Sequence, residues 1–179
     1  EGRHILAIDQ GTTSTRAIVF NDEARPVGSA QVALEQHFPQ PGWVEHDPSE
    51  IYSGVVSVAR RAVEKSGLGL DEIAAIGITN QRETVVVWNR STGEPVSNAI
   101  VWQCRRTADD CAELIRAGHA DDIRGRTGLV VDPYFSATKL RWLLDRIPNG
   151  QRRAEDGELC FGTVDSWLMY RLSGRQSHV

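Results

Sequence analysis

The residues with the densest chemistry lie near the N-terminus, in Asp9-Gln10-Gly11-Thr12-Thr13-Ser14-Thr15-Arg16. One carboxylate, one glycine and four consecutive hydroxyl side chains precede an arginine. Gly11 lets backbone approach a ligand closely, and hydroxyls with exposed turn N–H groups can hydrogen-bond phosphate oxygens. On this reading Thr12, Thr13 and Ser14 face a phosphate, and Arg16 adds charge-assisted donors to it. Asp9 is then placed to hold Mg²⁺, directly or through its waters. An ordinary turn rich in Gly and Thr would have the same composition, so the stretch alone leaves both readings open.

Two further places carry polar groups that packing does not require. Arg82-Glu83 follows the apolar run Ile73–Thr79 after Asn80-Gln81, and in open α/β sheets ligands bind beyond the carboxyl ends of strands. A donor-only side chain beside an acceptor-only one suits a substrate whose hydroxyls both give and accept hydrogen bonds. A solvated ion pair is the alternative. Trp102 and the stretch Asp132-Pro133-Tyr134-Phe135 could pack aromatic faces on the carbon side of a polyol while the Tyr134 hydroxyl reaches one of its oxygens. Core or rim packing is the alternative there.

The elements that must position these groups are legible in outline. Ile5, Leu6 and Ile8, then Ala17 to Phe20, read as strands around the polar turn, and Pro26 to Leu34 as a third strand of an antiparallel meander. A loop with Pro39, Pro41 and Gly42 leads to a helix predicted over Pro48–Ser66, closed by Gly67. Asp47 suits its N-cap, Pro48 its first position, and Glu50 a capping-box contact back to Asp47. His46 and Asp47 could be ligands, but capping accounts for the pair more simply. Ile73–Thr79 is apolar almost throughout, as a strand buried on both faces of a parallel sheet would be, and the preceding helix makes a crossover into it.

Thr84–Trp88 and Ala99–Trp102 read as further strands. Ala108, Cys111, Leu114 and Ile115 mark one amphipathic helix. Leu140, Leu143, Leu144 and Ile147 mark another, with Ser136 as N-cap and Pro148 beyond its end. Thr163–Leu172 marks a third, and Arg152–Gly157 reads as a polar connector. The pattern is that of an α/β domain with a mixed sheet flanked by helices.

The bulk properties exclude several classes. The chain has 179 residues, 20 Lys and Arg against 24 Asp and Glu, and a net charge of −4, enough for one sizeable core. With no basic block, nucleic acid is not an expected partner. No run is long enough for a membrane span and no signal-peptide core precedes the first strand, so a cytoplasmic protein is expected. Cys104, Cys111 and Cys160 form no C-x-x-C pair and fit reduced thiols. No His lies at a zinc-ligand spacing with Cys or another His. Neither Lys65 nor Lys139, the two lysines of the chain, follows a G-x-x-x-x-G segment, so a P-loop is excluded.

Asp9-Gln10-Gly11-Thr12-Thr13-Ser14 with Arg16 resembles the first phosphate motif of the superfamily of sugar kinases, heat-shock ATPases and actin. More specific are Pro41–Pro48, Gly77–Thr84, Asn98–Thr107, Thr127–Ser136 and Phe161–Leu168. In order and over essentially the whole chain, these are similar to the glycerol-phosphorylating branch of the FGGY carbohydrate kinase family. The resemblance implies a ribonuclease-H-like (actin-like ATPase) fold, with residues 1–179 forming most of an N-terminal domain and a C-terminal domain absent from the chain. It implies transfer of the γ-phosphoryl of MgATP to a terminal hydroxyl of glycerol, in a homo-oligomer when full length. Carried over by position, Arg82 and Glu83 bind glycerol hydroxyls, Trp102 faces its carbons and Tyr134 completes the pocket. Thr12, Thr13, Ser14 and Arg16 meet the ATP phosphates, and Asp9 serves Mg²⁺. The general-base Asp and the adenine-binding segments are expected beyond Val179, so this stretch alone is expected to be inactive.

Overall fold

The computed structural model describes residues 3–179. Its frame is a mixed four-stranded sheet of order β3-β2-β1-β5. The strands β1 (His4–Gln10), β2 (Ser14–Phe20) and β3 (Pro26–Ala33) form the expected antiparallel meander, and β5 (Ile73–Asn80) joins β1 in parallel. The crossover between β3 and β5 is α1 (Pro48–Ser66). Asp47 caps this helix by accepting the Ser49 N–H at 2.8 Å, and Gly67 ends it in the left-handed conformation at φ 73°. Glu50 does not complete the capping box: its carboxylate accepts the Glu35 N–H instead, at 3.1 Å.

Leu6 and Ile8 of β1, Ala17 and Val19 of β2, and Ala30 of β3 turn one sheet face onto Ile51, Val55, Val58 and Ala62 of α1. The contact is tight enough that a Cβ on Gly28 would lie 2.3 Å from the Ala62 carbonyl oxygen. A glycine is therefore required where β3 meets the helix.

A second sheet, which periodicity does not reveal, has the order β4-β7-β6-β8 and is antiparallel throughout. It is built from β4 (Glu45–His46), β6 (Val85–Asn89), β7 (Ala99–Ile100) and β8 (Leu159–Thr163). Two of these strands hold only two residues, too few to show an alternation. The expected strand Ala99–Trp102 is thus shorter than predicted, because Trp102 turns out of the ladder. The remaining helices are α2 (Ala108–Arg116), α3 (Ala120–Thr127), α4 (Ser136–Arg146), α5 (Gly150–Glu155) and α6 (Val164–Leu172). Helix α5 takes up much of the stretch expected to be a polar connector. Helix α3 has no buried residue, hence no apolar stripe to signal it.

The strand expected to be buried on both faces is largely exposed. β5 lies at the edge of its sheet among the described residues, and α1 covers β1 to β3 rather than β5, leaving Ile76 56% exposed. β6 takes that doubly buried place. Val86 and Trp88 enter the core shared with α1 and α6, whereas Val85 and Val87 enter a second core with Val44, Ile100, Val101, Leu143 and Leu159. The three cysteines are buried and free, in line with reduced thiols.

Candidate functional site

The hairpin between β1 and β2 is a short turn closed by a Gly11 N–H to Ser14 carbonyl bond of 2.9 Å. A Cβ on Gly11 would approach that carbonyl oxygen to 3.1 Å, so the turn favours glycine. Among the described residues the N–H groups of Thr12 and Thr13 donate to no protein group. Two free N–H groups beside hydroxyls form a small anion-receptive surface. Of the four hydroxyls, Thr15 is turned inward and donates to Gln10 at 2.6 Å, which leaves Thr12, Thr13 and Ser14 on the turn.

Asp9, Arg16 and Gln31 are register partners across β1, β2 and β3 and are exposed. The Arg16 guanidinium rests on Gln31 Oε1 at 2.8 Å, and Gln31 in turn donates to the Ser14 hydroxyl at 2.9 Å. Asp9 stands outside the one group of three or more potential metal ligands found among the described residues. A lone exposed carboxylate can serve Mg²⁺ only together with other ligands, since that ion keeps several waters and takes one or two carboxylates together with phosphate oxygens.

The polar residues after β5 do not form the ion pair that composition allowed. Arg82 is exposed and makes no hydrogen bond or ion pair among the described residues. Glu83 makes no ion pair with it and sits in the left-handed conformation at φ 65°. Non-glycine residues adopt that conformation only when their surroundings fix it. Here the surroundings are the start of α4. Glu83 Oε2 accepts the Ser136 N–H at 3.0 Å and the Ser136 hydroxyl, and the Lys139 ammonium reaches the Glu83 carbonyl at 3.4 Å.

Ser136 is therefore not the N-cap of α4. Phe135 holds the cap position without a side-chain bond, and the carboxylate of Glu83 supplies the missing acceptor. Lys139 also donates to the Tyr134 carbonyl. It is fully buried, and the loss of hydration pulls its pKa down to about 8 against the pull of Glu83. Sequence reasoning missed it. The signal was available: Lys139 precedes Leu143 by one helical repeat and so lies on the buried stripe.

Trp102 and Tyr134 meet edge to face with centroids 5.7 Å apart. Asp132 accepts the Tyr134 N–H at 2.7 Å and pairs with Arg105 at 3.2 Å, so its carboxylate shapes this turn. The Trp102 indole N–H donates to Thr12 Oγ1 at 2.9 Å. That bond spans 90 residues and ties the hairpin turn to Trp102 and, beside it, Tyr134, whose neighbours Ser136 and Lys139 bond Glu83; Arg82 makes no bond to any of them among the described residues.

The structure also gathers Glu35, His37 and Glu50 with ligand atoms within 4.8 Å of one another, a set that linear spacing conceals because Glu50 comes from α1. A groove of about 700 Å³ between α2 and α4, lined by Asp109, Glu113, Leu114, Arg141 and Trp142, shares no residue with the site above.

A hydroxyl-rich hairpin turn on a β3-β2-β1-β5 sheet, bonded across the fold to Trp102, belongs to a mixed α/β domain of the actin-like ATPase fold. Residues 4–179 match the N-terminal domain of the FGGY family of carbohydrate kinases. The chain belongs to that family. It is 59% identical over 175 residues to a glycerol kinase of Dechloromonas aromatica, covering 98% of this chain and 35% of that protein. Against a glycerol kinase of Bacillus velezensis it is 55% identical over 176 residues, covering 98% and 36%. The crystal structure of Plasmodium falciparum glycerol kinase with ADP superposes with a TM-score of 0.88 at 36% identity, covering 96% of this chain and 34% of that one. The chain thus spans about a third of the length of the relatives it matches.

Proposed function

We propose that this chain is the acceptor-binding and phosphate-holding part of an ATP-dependent glycerol kinase. The observation that carries the reading is the Trp102 to Thr12 bond, because phosphoryl transfer depends on holding donor phosphate and acceptor hydroxyl in register. Relatives with 55–59% identity that are named glycerol kinase support the choice of acceptor.

In this reading Arg82, without a partner among the described residues, donates to glycerol hydroxyls, and Glu83 accepts from them with the oxygen not bonded to Ser136. Trp102 and Tyr134 wall the carbon skeleton. Thr12, Thr13 and Ser14 hold phosphate oxygens with their hydroxyls and with the free N–H groups of the turn, and Arg16 leaves Gln31 to join them. Asp9 anchors Mg²⁺ through its waters. When bound, MgATP supplies the transferable γ-phosphoryl group and neutralises charge as it leaves. A second domain beyond Val179 carries the proton-accepting Asp and the adenine site. The whole protein acts in the cytoplasm as a homo-oligomer on small molecules rather than nucleic acid.

The test is turnover by the full-length parent protein. Glycerol-dependent ATP consumption is expected, with none from residues 1–179 alone. A parent that phosphorylated a pentulose and ignored glycerol would overturn the substrate assignment, and robust turnover by residues 1–179 would overturn the division between domains.

A further inference from the structure

Between the turn and Trp102 runs a chain of buried and half-buried polar side chains that core packing does not require. Read from donor to acceptor, it has one direction. The Trp102 backbone N–H donates to Thr84 Oγ1 at 3.2 Å, and the Thr84 hydroxyl donates to Gln81 Oε1 at 3.0 Å. The Gln81 amide donates to His46 Nδ1 at 3.1 Å, and His46 Nε2–H to Gln36 Oε1 at 2.9 Å. The Gln36 amide donates to the Thr12 carbonyl at 2.7 Å. The Trp102 indole N–H, on Thr12 Oγ1, closes the circuit.

Two backbone carbonyls fix that direction. Gln36 Nε2 also meets the Leu34 carbonyl at 3.2 Å, and Gln81 Nε2 meets the Gly11 carbonyl at 3.2 Å. Neither amide can be turned over without setting oxygen against oxygen. His46, which has no exposed surface, is thereby held neutral with its proton on Nε2. A second proton on Nδ1 would point at the Gln81 N–H. Burial and the neighbouring His37 act in the same sense and pull the His46 pKa down to about 4.

We propose that His46 is a positioning residue which, through this circuit, couples occupancy of the phosphate turn to the affinity of the acceptor pocket. The proposal rests on the kinase reading above and adds an energetic link between its two sites. Bonds aligned in one direction polarise one another, and both ends of the series, Thr12 and Trp102, are groups assigned to ligand contact. Displacing Thr12 toward a phosphate perturbs Trp102 by two routes, its indole N–H and its backbone N–H. By linkage, polyol binding changes nucleotide affinity by the same factor.

The experiment measures glycerol affinity of the full-length parent protein with and without saturating ADP, beside the variants Gln36→Leu and His46→Phe. In the unaltered protein ADP is expected to change glycerol affinity about fivefold or more, and in both variants the ratio falls toward one. Gln36 is only half-buried, so Gln36→Leu gives the answer should His46→Phe fail to fold. Imidazole ¹⁵N NMR of the unaltered protein supplies a second readout: Nε2 protonated and Nδ1 bare from neutral pH down to about pH 5. No ADP effect in the unaltered protein, an undiminished ratio in Gln36→Leu, or an Nδ1-protonated ring at neutral pH would each overturn the proposal. A parent that used another polyol would sink the glycerol assignment alone, and the same ratio would then be taken with that polyol.

Discussion

β5 and β6 lie four residues apart in the chain and read alike, as short apolar runs, yet they occupy opposite environments. Every residue of β6 from Val85 to Trp88 is buried, and the strand feeds both hydrophobic cores. β5 has no fully buried residue. The difference lies in coverage: β6 runs between β7 and β8 under helices on both sides, whereas β5 among the described residues has β1 on one side only. The segment joining them, Gln81–Thr84, carries two of the proposed polyol contacts. The site is therefore anchored on its β6 side and open on its β5 side.

Trp88→Ala should do the most damage. It empties a fully buried position in the core shared with α1 and α6 and is expected to cost about 3–5 kcal/mol in urea melts of the 179-residue chain. A loss under about 1 kcal/mol would mean that β6 is not the anchor its burial indicates.

Acidification should act on the same anchored side through His46. Its pKa is about 4 when folded against the ordinary 6.5, so the unfolded chain binds more protons between those values. Stability is then fully present above about pH 6.5 and falls as pH drops toward 4, by about 3 kcal/mol in all. His46→Phe should flatten that part of the stability profile, and an unchanged slope in the variant would assign the acid sensitivity to other groups.

On the open side, Arg82→Ala should weaken glycerol affinity of the parent protein by about 1.5–3 kcal/mol, since it removes a charged donor. An unchanged Michaelis constant for glycerol would take Arg82 out of the pocket. Ile76→Ala should matter least, within about 0.5 kcal/mol in the 179-residue chain, because the side chain is already 56% exposed. If the same substitution in the longer parent cost as much as a core deletion, β5 would be shown to gain its cover from the rest of that protein.

Much of the frame was legible before any coordinates. The meander, the Asp47 and Gly67 boundaries of α1 and the crossover into β5 all follow from local signals. The second sheet was not, because β4 and β7 have two residues each and their pairing is decided by distant strands. Burial of β5 was misread because apolar composition reports what a strand can bury, not what covers it. At the site, residue types marked Thr12, Arg82, Glu83, Trp102 and Tyr134 as chemically notable. They did not reveal that Glu83 bonds Ser136, or that Trp102 reaches Thr12 across 90 residues. Such contacts are properties of tertiary geometry. The His46 circuit was hidden by a second effect: weighing His46 with Asp47 as ligand pair or helix cap says nothing of Gln36 and Gln81, which reach it only in the fold.

The carboxylate of Glu83 has a bearing on how this pocket could change over evolutionary time. One of its oxygens holds the first turn of α4 and its backbone sits in a conformation few side chains tolerate, so the side chain proposed to recognise the substrate also secures a helix. Drift toward a different acceptor would have to leave this position in place and work through Arg82, Trp102 and Tyr134. On the proposed assignment, substrate preference is constrained by foldability at Glu83 and free to vary at its neighbours.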